Sequence, residues 1–273
     1  MVRSLWTAAT GMIAQQQNVD TIANNLANVN TTAYKTETNE FKSLLYQTIQ
    51  TKTTTANGEQ KPVGAQVGLG VRNAAITSQF SQGAFLASEN AFSFAIGGDG
   101  FFAVMGEDGQ PYYTRNGNFN VSLGVDGLTL TDMDGHPVLD TDGNPVVIGD
   151  IEDIVANKVQ VDTDGTLMYP DDDNNLQSLD IQIGLWQFQN PAGLNKEGDT
   201  LYRPTAASGE PINEADNDNL TPSIMRQGYL EGSNVQVADE MVNLIVAQRA
   251  YELNSKAITT TDEMMQQANQ LKR

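Results

Sequence analysis

Two stretches at opposite ends of the chain place apolar residues at seven-residue spacing, and neither can bury its stripe alone. From Arg3 to Val29, Leu5, Met12, Val19 and Leu26 fall seven apart, beside a second row of Ala8, Gln15, Ile22 and Val29. At the other end Val237, Leu244, Tyr251, Ile258 and Met265 repeat the pattern, flanked by Met241, Ala250, Ala257, Met264 and Leu271. Such a repeat makes a narrow coiled-coil seam on a helix rather than a broad globular face. The remaining faces of the first stretch are rich in Gln, Asn and Thr, and asparagine is a middling helix former, so this helix depends on partners. The spacing predicts one helix over Arg3–Val29, stopped by Asn30, Thr31 and Thr32, with Gly11 allowing close approach. A second is predicted from about Val235 to Leu271, running ~50 Å at 1.5 Å per residue. Ser233 or Asn234 would cap it, and Asp239 and Glu240 would favour its N-terminal dipole. Pairing the two helices is the economical arrangement, and it brings the ends of the chain together.

Between these helices the period changes. Runs at Phe92–Ile96, Phe101–Met105, Asn118–Leu123, Leu128–Thr131, Val146–Ile148, Lys158–Val161 and Leu179–Gln189 read as short strands. Asp-Gly pairs beginning at Asp108, Asp126, Asp134, Asp142 and Asp164 punctuate them at hairpin spacing. Tyr46 to Arg72 is rich in Thr, Gly and Gln and reads as an extended or hairpin-like arm, while Gly193 to Thr221 reads as polar loop. The expected fold class is α+β: paired, coiled-coil-like terminal helices with an inserted antiparallel β-barrel or sandwich. The expected division has residues 1–35 and 225–273 as a helical assembly domain and 91–192 as a β domain. Residues 36–90 and 193–224 would form a connecting arm.

Composition narrows the function. The 273 residues include 34 acidic and 15 basic side chains, a formal net charge of −19. Between Asp99 and Asp218 lie 23 of the acidic residues but only four basic ones, Arg115, Lys158, Lys196 and Arg203, so the two ends are neutral and the middle carries the whole imbalance. Neutral ends can pack against copies of themselves, whereas the acidic middle prefers water. A chain so short of clustered Lys and Arg has no grip on nucleic acid or anionic lipid, so neither is an expected partner. There is no cysteine, which excludes disulfides, thiolate nucleophiles and Cys-based metal sites. The start, Met1-Val-Arg-Ser-Leu-Trp, lacks the basic and apolar regions of a secretory signal peptide, and no run of eighteen apolar residues is available to span a bilayer.

Chemistry-bearing motifs are few. Asp132-x-Asp134-Gly135, Asp140-x-Asp142-Gly143 and Asp162-x-Asp164-Gly165 look like the opening of a calcium loop. Glycine comes too early, however, and the closing glutamate is missing, so hairpin turns are the better reading. Asp171-Asp-Asp173 reads as an exposed loop. Gly97-Gly-Asp-Gly100 and Gly68-Leu-Gly70 lack the strand, lysine and helix order of a phosphate cradle. His136, the only histidine, has Asp134 and Asp140 nearby but no nucleophile or oxyanion donor at a fixed distance. No catalytic residue, cofactor or metal is expected. A calcium-dependent adhesin and a carboxylate-based glycosidase remain as readings from other classes, the latter without support beyond carboxylate abundance.

The seams leave a surplus. Trp6, Tyr46, Met241, Ile245 and Met264 lie off or beside them, and a two-helix pair buries only one stripe per helix. The extra surface points to packing against neighbouring chains. The residues expected to carry self-assembly are Leu5, Trp6, Met12, Val19, Ile22, Leu26, Val29, Val237, Met241, Leu244, Tyr251, Ile258 and Met265.

The stretch Ile22-Ala-Asn-Asn-Leu-Ala-Asn-Val-Asn-Thr-Thr-Ala-Tyr-Lys35 resembles the N-terminal signature of bacterial flagellar rod and hook proteins. Gln227-Gly-Tyr-Leu-Glu-Gly-Ser-Asn-Val235 through Ala247-Gln-Arg-Ala-Tyr-Glu-Leu-Asn-Ser-Lys-Ala257 is similar to its C-terminal one. Ala95-Ile-x-Gly-x-Gly-Phe-Phe102 and Tyr113-Thr-Arg-x-Gly-x-Phe119 resemble its central domain. Within the family, Ser4-Leu-Trp, Leu44-Leu-Tyr-Gln-Thr-Ile49 with its Thr/Gly-rich sequel, and Thr259-Thr-Thr-Asp-Glu-Met-Met265 are most similar to the distal-rod branch. Hook and proximal-rod members are the alternative.

The resemblance implies a helical homopolymer forming a straight, hollow drive shaft in the basal body, where the rod crosses the periplasm. Its terminal helices would line the tube and its β domain would face outward, with the stretch near 51–70 adding the contacts that stiffen the shaft. It also implies proximal rod proteins below, hook protein above, a surrounding ring bushing, and passage through the flagellar type III export apparatus without a cleavable signal peptide.

Overall fold

The computed structural model describes residues 2–50, 64–124, 127–149, 158–171, 175–217 and 220–271. It divides into two compact units. The first is built from Met1–Ala27, Glu37–Ser78 and Gln236–Arg273, and the second from Asn28–Thr36 and Gln79–Val235.

The first unit holds both long helices, α1 (Val2–Ala27) and α2 (Val237–Gln270). It also holds the strands β1 (Glu37–Ser43), β2 (Tyr46–Gln50), β3 (Ala65–Gly68) and β4 (Val71–Ser78). β1 pairs antiparallel with β4 from Glu37 opposite Ser78 to Ser43 opposite Val71, with a bulge at Glu40/Phe41. β2 and β3 continue outward from Tyr46 opposite Gly68. The Thr- and Gly-rich stretch is therefore a long hairpin belonging to the helical unit, and the part of the expected stiffening segment over 51–63 lies outside the described residues. The start of α2 differs from expectation. Gln236 stands at the N-cap with no side-chain capping bond, and Ser233 and Asn234 are engaged elsewhere. Asp239 and Glu240 do occupy the first turn, where carboxylates offset the helix dipole.

The described strands of the second unit all pair antiparallel, among them β5 (Phe85–Ala87) with β20 (Tyr229–Glu231) and β6 (Phe94–Gly97) with β19 (Ile224–Gln227). Its largest sheet has six strands: β7 (Phe101–Met105), β8 (Pro111–Thr114), β15 (Leu185–Gln187), β16 (Asn195–Gly198), β17 (Leu201–Arg203) and β18 (Ile212–Asn213). They lie in the order β16-β17-β8-β7-β15-β18. The run Phe101-Phe-Ala-Val-Met105 is almost continuously apolar because the sheet is covered on both faces, as expected of a central strand. Phe102 and Val104 enter one core with Phe94, Phe119, Leu130 and Ile183. Phe101 and Ala103 enter another with Tyr113, Phe188 and Tyr202.

Around it stand β9 (Asn120–Leu123), β10 (Leu128–Thr131) and β11 (Val147–Gly149) as one three-stranded sheet. β12 (Gln160–Val161), β13 (Thr166–Pro170) and β14 (Leu176–Gln182) form another. Two corrections follow. Residues 193–224 are not a connecting loop, since β16, β17 and β18 complete the central sheet. No closed barrel forms among the described residues: strands of two to seven residues, broken by bulges and tight turns, make several small open sheets instead. The Asp-Gly reading holds at Gly109, Gly135, Gly143 and Gly165, which all sit at positive φ in turns between antiparallel partners, and Gly127 does the same. Asp126 lies outside the described residues.

Candidate assembly surface

The two helices of the first unit run antiparallel. Asn25 Nδ2 donates to Glu240 Oε2 at 3.2 Å. One end of the contact is thereby fixed, and the other is fixed at Gly11, where an added Cβ would stand 3.0 Å from Asn254 Nδ2. Moving fourteen residues up α1 thus moves fourteen residues back along α2. Gly11 does permit the close approach expected of it.

The contact line is smaller and more polar than the heptad rows suggested. On α1 the buried residues are Ala8, Ala14, Thr21, Ile22 and Asn25. On α2 they are Glu240, Ala247 and Thr261, which with half-buried Asn254 fall seven apart. Leu244, Ile258 and Met265 lie half-buried beside this line, as do Leu5, Met12, Val19 and Leu26 on α1. Val29 is half-buried but lies past the end of α1, in the second unit.

Two expected seam residues, Val237 and Tyr251, do not face the partner helix, and Trp6 and Met241, expected off or beside the seams, are exposed as well. Val237 and Tyr251 are each 41% exposed, Met241 52% and Trp6 69%. The flanking row also fails, with Met264 and Leu271 exposed. The spacing of the expected row is right but its phase is not: the buried line also repeats every seven residues, on another side of the helix. The line runs through Glu240, Ala247, Asn254 and Thr261, where Gly11, Ala8 and Ala14 of α1 leave room and Asn25 supplies a hydrogen bond to Glu240.

The outward face of α2 is apolar. Met241, Val242, Ile245 and Val246 are each more than half exposed, and Leu253 follows them. These residues stand about 100–240° around the helix from its buried line at 100° per residue. α2 thus leaves an apolar side uncovered in its first half, away from the small and polar line that faces α1.

The polar residues of the signatures act as clasps, a role the apolar pattern could not reveal. Asn25 Oδ1 accepts from Glu37 N at 2.9 Å while its Nδ2 donates to Glu37 O at 2.9 Å, locking the start of β1 onto α1. Asn39 Nδ2 donates to Gln17 O at 3.0 Å and to Thr21 Oγ1 at 2.8 Å, and accepts at Oδ1 from Asn73.

In the second unit, Lys35 Nζ meets Glu231 Oε1 at 2.6 Å and donates to Ser81 O at 2.8 Å. Arg115 reaches Glu231 Oε2 at 3.5 Å and donates to the carbonyls of Gly98 and Gly100. The glycine turn that could have cradled phosphate cradles a guanidinium instead. All three side chains are within 1% of complete burial. Burial pulls both cations below their ordinary pKa, and the Glu231 carboxylate opposes that shift. Asn234 completes the clasp, accepting from Thr36 N at 2.7 Å and donating to Gln79 O at 2.9 Å. One signal was available in the sequence: Arg115 is one of only four cations in a strongly acidic segment.

Comparisons with known proteins agree with this architecture. Residues 5–35 match the family described as "Flagella basal body rod protein", residues 95–169 the "Flagellar hook protein FlgE/F/G D1 domain", and residues 226–271 the "Flagellar basal body rod FlgEFG protein C-terminal". The chain is 42% identical to flagellar basal-body rod protein FlgG of Borreliella burgdorferi over the whole of both chains. It is also 42% identical to the protein of that name from Agrobacterium fabrum, over 96% of this chain and 97% of that one. To the Bacillus subtilis FlgG it is 35% identical over the full length of both. With two clasped signatures at its ends and relatives matched from end to end, the chain belongs to the flagellar basal-body rod protein family.

Proposed function

We propose that this protein is a non-enzymatic structural subunit of the distal rod of the bacterial flagellum, self-assembling into a straight, hollow helical shaft that transmits torque to the hook. The observation that carries this reading is the uncovered apolar side of α2, where Met241, Val242, Ile245 and Val246 are left in water. α1 covers one side of α2, and the apolar residues on the other gain burial only against a further partner. Copies of the same neutral helical ends cover the other, so each subunit's burial is finished by its neighbours. The helices line the central channel through which later components pass. Proximal rod proteins lie below, hook protein above and ring proteins around, and the subunit reaches the growing tip through the flagellar type III export apparatus.

Ile245→Asp tests the assembly face. The variant remains folded as a monomer but forms no rods by electron microscopy and does not support swimming. Continued polymerisation would overturn the reading. Deleting Thr51–Gly64 tests the distal-rod assignment against the hook: the polymer should bend or soften, and an unchanged straight shaft would remove that segment's role.

A further inference from the structure

The three Asp-x-Asp-Gly sequences fold into the same turn. Asp132 N donates to His136 O at 2.9 Å and Gly135 N to Asp132 O at 3.0 Å. The corresponding pairs are 2.8 and 3.2 Å in the turn Asp140–Asn144, and 3.0 and 3.0 Å in the turn Asp162–Thr166. Their glycines lie at φ 89°, 83° and 86°. With the backbone held constant, the difference is in the side chains. The fifth residue is Asn144 in the second turn and Thr166 in the third, but His136 in the first. Residues one and five of such a turn oppose each other across the strands, so their side chains share a side.

Asp140 Oδ1 is taken up by its own turn, accepting from Asp142 N at 2.8 Å and Asn144 N at 2.9 Å. Asp132 Oδ1 accepts from the adjacent Met133 N at 2.7 Å. Ligand-capable atoms of Asp132, Asp134 and His136 come within 4.8 Å of one another, a grouping that neither sister turn makes among the described residues. His136 Nδ1 is shut off from solvent without a hydrogen-bond partner. An imidazole nitrogen left unsatisfied beside two carboxylates is chemistry that a cation would complete.

We propose that the Asp132–His136 turn binds one divalent transition-metal ion of the zinc type through Asp132, Asp134 and His136, with water filling the remaining positions. One imidazole and two carboxylates suit zinc, whose bonds to these atoms are about 2.0–2.2 Å. Ligand atoms around a tetrahedral ion of that size stand about 3.4 Å apart, so modest side-chain rotations close the site. The ion's two positive charges balance the two carboxylates, one of them on a side chain only 5% exposed. Calcium is disfavoured because it takes oxygen ligands and six to eight of them. The site is independent of the assembly reading.

His136 is the only histidine, so its ring nitrogens give a single, unambiguous signal set in long-range proton–nitrogen NMR spectra of the histidine-labelled full chain. Titration with Zn²⁺ is expected to shift one ring nitrogen and to saturate at one equivalent. The affinity should fall at least tenfold in Asp134→Asn, an exposed site where folding is not at stake, and stay unchanged in the sister-turn variant Asp142→Asn. An unmoved ring at excess Zn²⁺, a shift that does not saturate at one equivalent, or an identical titration in Asp134→Asn would each overturn the site.

Discussion

The two units bury their apolar residues in opposite ways. In the second unit Phe94, Ile96, Phe102, Val104, Phe119, Leu130, Val138 and Val146 are all 0% exposed, closed within a single chain. In the first unit the innermost helix contact is made largely by Ala, Thr, Asn and Glu with one Ile, while Met241, Val242, Ile245, Val246 and Leu253 stay in water. One unit is complete as a monomer, and the other has its strongest hydrophobic material still unspent. The acidic charge follows the same division, since it gathers on the segment that forms most of the finished unit and leaves the helical ends neutral. Apolar burial can therefore fold one unit and remain available to join the other to its neighbours.

The contrast can be broken at the ion cluster that closes the finished unit. Glu231→Leu leaves Lys35 and Arg115 buried without their carboxylate and is expected to cost about 3–5 kcal/mol, measured by urea denaturation of the unpolymerised chain. Little change would mean that the two cations escape to water and that the second unit is less closed than its burial implies.

Next in size is Leu130→Ala, a cavity in the same core, expected to cost about 2–5 kcal/mol in the same measurement. It should leave the outward face of α2 as competent as before in the molecules that remain folded. A loss of assembly beyond the loss of folded protein would mean that the two units are not separable in function.

A pH effect of smaller size comes from Asp132. Burial raises its folded pKa above 3.8, so between those values the folded state holds a proton that the unfolded state has released. Its stabilising contribution is present at acid pH and is lost as pH rises through the folded pKa. Asp132→Asn should therefore be more stable than the parent near neutral pH, with the advantage vanishing below about pH 4. Thermal melts across pH with a metal chelator present would check this, and an equal gain at every pH would deny the burial effect.

Smallest on the isolated chain is Ile245→Asp. Its site is 56% exposed, so monomer stability should stay within about 0.5 kcal/mol even though rods no longer form. A large monomer effect would show that the outward side of α2 is not free and would dissolve the contrast.

Much of this organisation was legible beforehand. Both helices, their mutual contact and the close approach at Gly11 follow from the apolar spacing and the position of one glycine. The hairpins follow from Asp-Gly dipeptides, whose conformational needs are local. The six-stranded sheet was half legible. Phe101–Met105 announced itself as a buried strand, but Asn195–Gly198 is exposed along its length and carries no alternation to read. The contact line on α2 falls three positions after the expected Val237 row, because Glu240 and Asn254 look like solvent residues until a partner for each is seen.

From the sequence alone it follows that the ends of the chain must be helical and must meet, that a turn-rich β segment lies between them, and that more apolar surface exists than one pair of helices can hide. These properties depend on composition and on spacing over a few residues. Tertiary structure decided which side of α2 is spent internally and which is left free, since a helical stripe has a phase that only its neighbour sets. It also decided that Lys35, Arg115 and Glu231 are buried together: Lys35 and Glu231 stand 196 positions apart, and a charge can leave water only where a distant opposite charge is delivered to meet it.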